Sequence, residues 1–225
     1  MTEMAAFREA VTAWAAGGPG DLARERAAGL AVRTVVLVEG PSDLAAVEAL
    51  AERRGRDLEA EGVCVLAMNG AMSVGRFARL LGPGGLGLRL TGLCDEAERG
   101  YYARALGPDG PDSPDSPDSP DSPDSPDVNG ARRQRFFVCS ADLEDELIRA
   151  LGVPRVEELV RAEGDLRALR TFVRQPAQHG RSPHRQLRRF LGTKKGRKIR
   201  YGRVLVEALT PDRVPAPLDD LLADL

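Results

Sequence analysis

The sequence predicts an α/β protein with a mostly parallel, Rossmann-like sheet of four strands flanked by helices, followed by a helical C-terminal extension. Four short apolar runs lack polar alternation, which is typical of strands buried on both faces. Helical segments separate these runs, and alternating strands and helices build parallel sheets. After residue 152 the pattern is helical only. We therefore expect an N-terminal helical segment at 1–30, an α/β domain at 31–152 and a basic helical region at 153–225.

The elements follow from local patterns along the chain. The first 30 residues are rich in Ala and Arg and break at Gly17–Gly20, which predicts two short helices. Gly40 and Pro41 end the first strand and start a helix, because proline suits the first helical position. The further expected elements are strand Thr34–Val38, helix Ser42–Arg54, strand Val63–Met68, helix Ser73–Leu81, strand Leu86–Leu93, a helix from Glu96 to about Leu106, strand Arg135–Cys139 and helix Asp142–Leu151.

A low-complexity insertion interrupts the predicted domain at 108–128. It contains five copies of Pro-Asp-Ser from Pro111 to Ser125, which carry no apolar surface to offset the entropy of ordering. We expect this insertion to be disordered, and we prefer a repeat expansion without function over a tether for a partner. Residues 108–127 contain seven of the 34 acidic residues and no Lys or Arg. The rest of the chain therefore has 27 acidic residues against 32 Lys and Arg, and its net charge is positive.

Composition favours a globular protein in a reducing compartment. No apolar run approaches the roughly 20 residues that span a bilayer, and the N-terminus lacks the pattern of a secretory signal. We therefore expect no membrane association and a cytoplasmic location. Cys64, Cys94 and Cys139 lie in apolar runs without CxxC spacing, so we expect buried free thiols and not metal ligands.

Acidic residues follow three of the predicted strands. Because the carboxyl ends of parallel strands meet at one edge of a sheet, these carboxylates should converge there. A cluster of carboxylates repels itself without cations, and oxygen ligands alone select Mg²⁺ or Mn²⁺ over Zn²⁺. The candidate metal ligands are Glu39, Asp43, Asp95, Glu98, Asp142 and Glu144. Stabilisation of a helix N-terminus is the alternative for Asp43 and for the acids at 142–146, of which we expect Asp145 and Glu146 to be structural.

Leu37-Val38-Glu39-Gly40 with Asp43, followed by an acid-rich strand end, resembles the Toprim fold of primases, topoisomerases and OLD (overcoming lysogenization defect) nucleases. The Glu-Gly-x-x-Asp spacing is most similar to the OLD type, and the resemblance covers roughly 33–209. It implies a two-metal nuclease site completed by Asp-x-Asp, Asp-x-Glu and a downstream lysine. By this resemblance, Asp142-Leu143-Glu144 is the Asp-x-Glu, Lys198 is the lysine, and Glu39 and Lys198 are the catalytic candidates.

The sequence departs from this pattern at the Asp-x-Asp, which here reads Asp95-Glu96-Ala97. The second aspartate is missing. Glu98 is three residues after Asp95, on the same helical face, and could replace the missing carboxylate, whereas Glu96 should point to solvent. The alternative is a site that binds one metal, or none productively, and the sequence leaves open whether one or two metals are bound.

A basic segment runs from Arg174 to Arg203, with eleven Lys or Arg residues and no acid. It predicts a phosphate-binding surface that positions nucleic acid without reading its sequence. We expect residues 192–198 to form a cationic loop before a helix. The candidate contacts are Arg185, Arg188, Arg189, Lys194, Lys195, Arg197 and Arg200. The alternative is that these residues only balance the acidic sheet edge and the Pro-Asp-Ser repeats.

Together these features predict a Mg²⁺- or Mn²⁺-dependent nuclease that hydrolyses DNA, with RNA as an open alternative substrate. The sequence has no Gly-x-x-x-x-Gly-Lys-Ser/Thr motif, so it lacks the ATPase domain that usually accompanies OLD nucleases, and a separate ATPase partner is conceivable. One alternative is a non-catalytic Toprim module that binds nucleic acid or an ATPase partner. A weaker one is a nucleotidyl transferase. The large gate domains of topoisomerases are absent from the sequence, which argues against that activity.

Overall fold

The computed structural model of this protein describes residues 2–106 and 135–225. The predicted disordered insertion at 108–128 lies outside these residues. Within them, no helix is both long enough and apolar enough to cross a membrane. The three cysteines are buried and free, as expected.

The described residues contain a four-stranded, all-parallel sheet in the order β2-β1-β3-β4. The strands are β1 Thr34–Val38, β2 Val63–Ala67, β3 Arg89–Asp95 and β4 Arg135–Cys139. The predicted parallel sheet is therefore confirmed.

The expected bounds of the third strand, Leu86–Leu93, are wrong at both ends. Residues 86–88 fold back on the preceding helix, where Leu86 N donates to Leu80 O at 3.0 Å and Leu88 N donates to Leu81 O at 2.9 Å. Pairing with β1 therefore begins only at Arg89, opposite Thr34. The strand in turn extends to Asp95, which places this carboxylate at its last position.

Eleven α-helices cover the rest of the described chain. They are α1 Glu3–Ala15, α2 Asp21–Gly29, α3 Pro41–Arg53, α4 Val74–Leu81, α5 Arg99–Leu106, α6 Leu143–Leu151, α7 Val153–Ala162, α8 Leu166–Val173, α9 Pro183–Leu191, α10 Lys195–Glu207 and α11 Ala216–Asp224. Two expectations need correction. The helix expected from Glu96 starts as a 3-10 turn at Glu96–Glu98, and the expected cationic loop at 192–198 ends at Lys194, where α10 begins.

The two faces of the sheet bury separate cores, because successive strand residues point to opposite sides. Val36 and Val38 of β1 face α3, α6 and the helices after residue 152. Val35 and Leu37 face α1, α2, α4 and α5. Helix α11 thus packs directly on β3 and β4, whereas α10 packs on α3, and the division of the chain at residue 153 stays a prediction.

Helix α10 approaches the start of α3 very closely. A Cβ atom at Gly202 would lie 2.4 Å from Ser42 O, so a glycine is required for this approach. Lys198 lies one helical turn before Gly202 on α10. The close packing therefore brings Lys198 to the carboxyl end of β1.

Candidate functional site

Glu39 and Asp43 lie at the junction of β1 and α3. Glu39 directly follows the last residue of β1 and is half-buried. Asp43 Oδ2 accepts a 2.8 Å hydrogen bond from Gly40 N, which closes the first turn of α3. Burial raises the pKa of Asp43, although the Lys198 charge and the Gly40 N–H oppose this shift. Asp43 therefore serves as a cap and also faces the acidic edge.

The turn after β2 supports the backbone of Glu39. Gly70 N donates to Glu39 O at 3.1 Å, and Met68 N donates to Val38 O at 3.0 Å. Asn69 and Gly70 have φ of 58° and 132°, values that suit these two residue types. The hydrogen bond from Gly70 to the candidate site is a finding of the structure.

Glu98 joins Asp95 because of the 3-10 turn between them. The turn begins directly after Asp95 and reverses the chain, so Glu98 returns to the side of Asp95. One carboxylate oxygen from each of Glu39, Asp95 and Glu98 lies within 4.8 Å of the other two. We call these three residues the carboxylate triad.

Burial and mutual repulsion destabilise the charged forms of two triad carboxylates, Asp95 and Glu98. Burial, followed by the charges of Asp43, Asp142, Glu98 and Glu39, raises the pKa of Asp95 to about 8. Burial and the neighbouring carboxylates also raise the pKa of Glu98. Glu98 Oε2 is buried and has no hydrogen-bond partner among the described residues. Buried carboxylates are costly in this state unless a cation joins them.

The residues of the triad fit a hard divalent cation. All three donors are carboxylate oxygens, which Mg²⁺ and Mn²⁺ prefer, and the orphaned Glu98 oxygen offers a free ligand atom. Glu96, by contrast, is exposed and pairs with Arg99 at 3.5 Å, in line with the expectation that it points to solvent.

Asp142 lies at the start of α6 and has partners for both oxygens. Its Oδ1 accepts a 2.8 Å hydrogen bond from Asp145 N, so it caps the helix. Its Oδ2 accepts from Arg188 Nε at 2.6 Å. Asp142 and Arg188 were separate expectations, a metal ligand and a nucleic-acid contact, and the structure pairs them with each other.

Glu144 and Lys198 form the second pair of the acidic edge. Glu144 is buried, and its Oε1 lies 3.3 Å from Lys198 Nζ. Burial raises the pKa of Glu144 to about 7 despite the opposing Lys198 charge. Burial alone would lower the pKa of Lys198, but Glu144, Asp43 and Glu39 outweigh it and raise that pKa. Lys198 therefore stays a protonated ammonium at this edge.

Asp145 and Glu146 are held by structural contacts, as expected. Asp145 Oδ1 lies 2.7 Å from His184 Nε2 on α9, a contact for which the sequence gave no signal. Glu146 Oε1 accepts from Ser140 N at 2.8 Å, and Arg149 Nη2 lies 2.6 Å from Glu146 Oε2.

The predicted nucleic-acid contacts fall into two groups. The exposed group makes no ion pair with any described residue, and it consists of Arg185, Arg189, Lys194 and Lys195. The second group forms ion pairs within the fold, and Arg188 belongs to it because it pairs with Asp142. Arg197 and Arg200 also belong to it, since both bind Asp165 at the start of α8.

Arg197 is the most enclosed member of the second group. Its side chain is 8% exposed, and its Nε lies 3.3 Å from Asp165 Oδ2. Its Nη1 donates to Thr193 Oγ1 at 2.6 Å, while the guanidinium carbon lies 4.1 Å from the centre of the Phe190 ring. The structure thus places Arg197 inside the fold, where it offers almost no surface to nucleic acid.

The parallel sheet in this strand order, with carboxylates at its carboxyl edge, defines an α/β protein of the Toprim class. Residues 31–96 match the family model described as "Overcoming lysogenization defect protein-like, TOPRIM domain". This stretch contains β1, β2 and β3 and is therefore similar to an OLD-like Toprim domain. No curated protein matches the sequence significantly.

Solved structures support this assignment over most of the chain. The C-terminal region of the Burkholderia pseudomallei OLD protein aligns with a TM-score of 0.57 and 23% identity, covering 86% of this chain and 96% of that one. The C-terminal region of the Xanthomonas campestris pv. campestris OLD protein aligns with a TM-score of 0.56 and 26% identity, covering 85% of this chain and 91% of that one. The resemblance drawn from the sequence is thus confirmed, and the fold is that of OLD C-terminal regions.

Proposed function

We propose that this protein is a Mg²⁺- or Mn²⁺-dependent nuclease that hydrolyses phosphodiester bonds in DNA. The observation that carries the proposal is the carboxylate triad of Glu39, Asp95 and Glu98, with oxygens within 4.8 Å and one buried oxygen without a partner. The OLD-like Toprim match at residues 31–96 supports the same class of chemistry.

The triad would hold the cation, which when bound polarises the phosphate and lowers the pKa of a bound water. Asp43, fixed by Gly40 N, keeps additional negative charge beside Glu39 and strengthens cation binding. Lys198 carries an ammonium at the same edge, where it stabilises the charge that develops on the scissile phosphate. The protein thus supplies both a cation site and a fixed positive charge.

The exposed basic group, Arg185, Arg189, Lys194 and Lys195, would bind the DNA backbone. These side chains are exposed and make no ion pair with other described residues. Phosphate contacts of this kind release counterions, so binding should weaken steeply with salt and depend little on base sequence. We also propose that the protein acts in the cytoplasm, where its three buried thiols stay reduced, and that a separate ATPase partner assists it.

The test is cleavage of supercoiled plasmid and labelled single strands in Mn²⁺, Mg²⁺ or EDTA. Wild-type protein and Glu39→Gln are compared with Glu158→Gln, a control at an exposed glutamate that pairs locally with Arg155. We expect metal-dependent cleavage by the wild type and the control, and none by Glu39→Gln. Equal cleavage by Glu39→Gln would reject the triad as the active site.

A second candidate function is a non-catalytic Toprim module that binds nucleic acid. The observation that favours it is Ala97, which stands where the resemblance places a second aspartate. Intact DNA in every metal condition, together with salt-sensitive retention of labelled DNA, would favour this function over the nuclease.

A further inference from the structure

The carboxylates of α6 differ from the triad in having cationic partners. Arg188 Nε and Nη2 both lie 2.6 Å from Asp142 Oδ2, and Asp145 N occupies Oδ1. A cation at Asp142 would have to displace charge-assisted hydrogen bonds on one oxygen and the cap of α6 on the other. Asp142 is therefore a poor ligand for an ion.

Glu144 is likewise paired with a cationic side chain. Its side chain is 8% exposed, and Lys198 Nζ lies 3.3 Å from its Oε1. The ammonium also feels the charges of Asp43 and Glu39, so it is held at the centre of the acidic edge. An ion bound by Glu144 would lie directly beside this ammonium.

The turn after β3 offers no replacement ligand. Ala97 carries no oxygen in its side chain and is exposed, Glu96 is exposed and pairs with Arg99, and Glu98 lies with Asp95 in the triad. Paired ions in two-metal sites lie about 3.5–4 Å apart and share carboxylates. Here a second ion bound by Asp142 or Glu144 would meet the guanidinium of Arg188 or the ammonium of Lys198, whose positive charge repels it.

We infer that the site holds one divalent cation, bound by Glu39, Asp95 and Glu98, and that Arg188 and Lys198 supply the positive charge that a second ion would otherwise bring to the phosphate. This inference rests on the proposed nuclease function and departs from the two-metal site that the OLD resemblance implies. It assigns Arg188 to the reaction, apart from the exposed basic group.

Arg188 is placed to contact a bound phosphate. Its side chain is 38% exposed, and Asp142 holds the Nε and Nη2 edge of the guanidinium. Nη1 has no hydrogen bond to any described residue and so remains available as a donor. Its hydrogen bond to Asp142, together with the charges of Asp142, Asp145 and Asp95, raises the pKa of Arg188, and the bond to Asp142 places the guanidinium at the acidic edge of the sheet.

The first experiment counts metal ions without nucleic acid, by calorimetric titration of the full chain with Mn²⁺. We expect one ion per chain in the wild type and none in Glu39→Gln. Asp142→Asn keeps a cap of α6, since asparagine is also a good N-cap, and its Mn²⁺ affinity should stay within about twofold of wild type. Two ions per chain, or Mn²⁺ binding about tenfold weaker in Asp142→Asn, would overturn the inference.

The second experiment measures cleavage by Arg188→Gln beside Arg155→Gln, a control at an exposed arginine on α7 that pairs with Glu158. We expect kcat of Arg188→Gln to fall about a hundredfold, with KM changed less than about threefold and one Mn²⁺ still bound, because a charge aimed at the transition state is lost. The control should retain wild-type kcat. A second Mn²⁺ in Arg188→Gln with undiminished cleavage would show that Arg188 only blocks an ion, and would contradict the assigned role.

Failure of this inference can be distinguished from failure of the proposed function. Wild-type protein that binds one Mn²⁺ but leaves all DNA intact would keep the stoichiometry, reject the nuclease and so remove the role of Arg188. Wild-type protein that cleaves DNA with two Mn²⁺ per chain would keep the nuclease and reject the inference.

Discussion

The carboxylate triad and the surroundings of Asp165 both contain partly buried carboxylates, but within the described chain only Asp165 is paired with cationic side chains. Glu39, Asp95 and Glu98 lie within 4.8 Å of one another, and none forms an ion pair with a described residue. Asp165 alone receives Arg197, Arg200 and the hydroxyl of Tyr201. We call this second set the Asp165 cluster. The triad has an excess of negative charge, whereas the carboxylate of Asp165 has two cationic partners.

The pKa directions express this difference. Burial and neighbouring carboxylates raise the pKa of Asp95 to about 8. Burial also acts to raise the pKa of Asp165, but hydrogen bonds and charges from Arg197 and Arg200 outweigh it and lower that pKa. A carboxylate without a cationic side chain beside it is stabilised by binding a metal ion. A carboxylate that is paired with arginines stabilises the fold through those ion pairs.

Helix α10 connects the two regions. Arg197 and Lys198 are adjacent in sequence but point about 100° apart around the helix. Arg197 therefore reaches Asp165, while Lys198 reaches Glu144 at the acidic edge. The helix thus divides a run of basic residues between a structural role for Arg197 and the proposed functional role of Lys198.

The largest effect is expected from Asp95→Asn, which removes a central ligand of the triad. Cleavage should fall by about a hundredfold or more, because the site loses both cation affinity and transition-state stabilisation. The fold should survive, since a strained carboxylate is replaced by a neutral group of the same shape. Cleavage rates and thermal melting in EDTA measure these two results. A variant that melts well below wild type would show that Asp95 is structural, and the comparison with Asp165 would fail.

Gly202→Ala tests the helix that connects the two regions. The new Cβ would lie 2.4 Å from Ser42 O, so α10 must shift away from α3. Overpacking of this kind costs about 1–3 kcal/mol. We expect a lower free energy of unfolding in urea and slower cleavage, because Lys198 moves with the helix. Gly196→Ala, on the exposed first turn of α10 where an added Cβ meets no atom within 4 Å, is the control for a general effect on this helix. Unchanged cleavage by Gly202→Ala would show that Lys198 does not depend on the contact with Ser42.

Asp165→Asn should affect stability alone. Loss of the charged partner of Arg197 and Arg200 should lower the free energy of unfolding by about 1–2 kcal/mol at pH 7, while cleavage stays within about threefold of wild type. Because the pKa of Asp165 is lowered in the folded state, its contribution is present above the unfolded value of about 3.9 and is lost as the pH falls through the folded value. Urea unfolding of both proteins from pH 7 to pH 3 should therefore show the difference shrinking in acid. A difference that stays constant would indicate lost packing and not lost charge.

The sequence predicted the acidic edge better than the basic surface, for a physical reason. Parallel strands place their carboxyl ends together, so Glu39 and Asp95 could be assigned to one edge from strand order alone. The position of Glu98 followed from its spacing, but the 3-10 turn that returns it to the side of Asp95 required the structure. Local patterns are sufficient here because each acid follows its strand within a few residues.

Tertiary pairing limited the remaining predictions. The bond between Arg188 and Asp142 joins residues 46 apart in the chain, and that between Arg197 and Asp165 joins residues 32 apart. No local pattern indicates which arginine of a basic run finds such a partner. The third strand also began later than expected, because the return of residues 86–88 onto α4 depends on long-range pairing of Arg89 with β1.

The smallest effect is expected from single changes in the exposed basic group. Lys194→Gln should weaken DNA binding a few-fold and reduce the slope of log affinity against log salt by about one, because one phosphate contact is lost. Arg197→Gln should leave that slope unchanged, since its guanidinium is 8% exposed and bound to Asp165, and should instead lower stability. Binding of a labelled duplex in EDTA over a range of salt concentrations measures both slopes. Equal slope changes in the two variants would mean that Arg197 leaves Asp165 to contact DNA, and that the Asp165 cluster is itself part of the nucleic-acid surface.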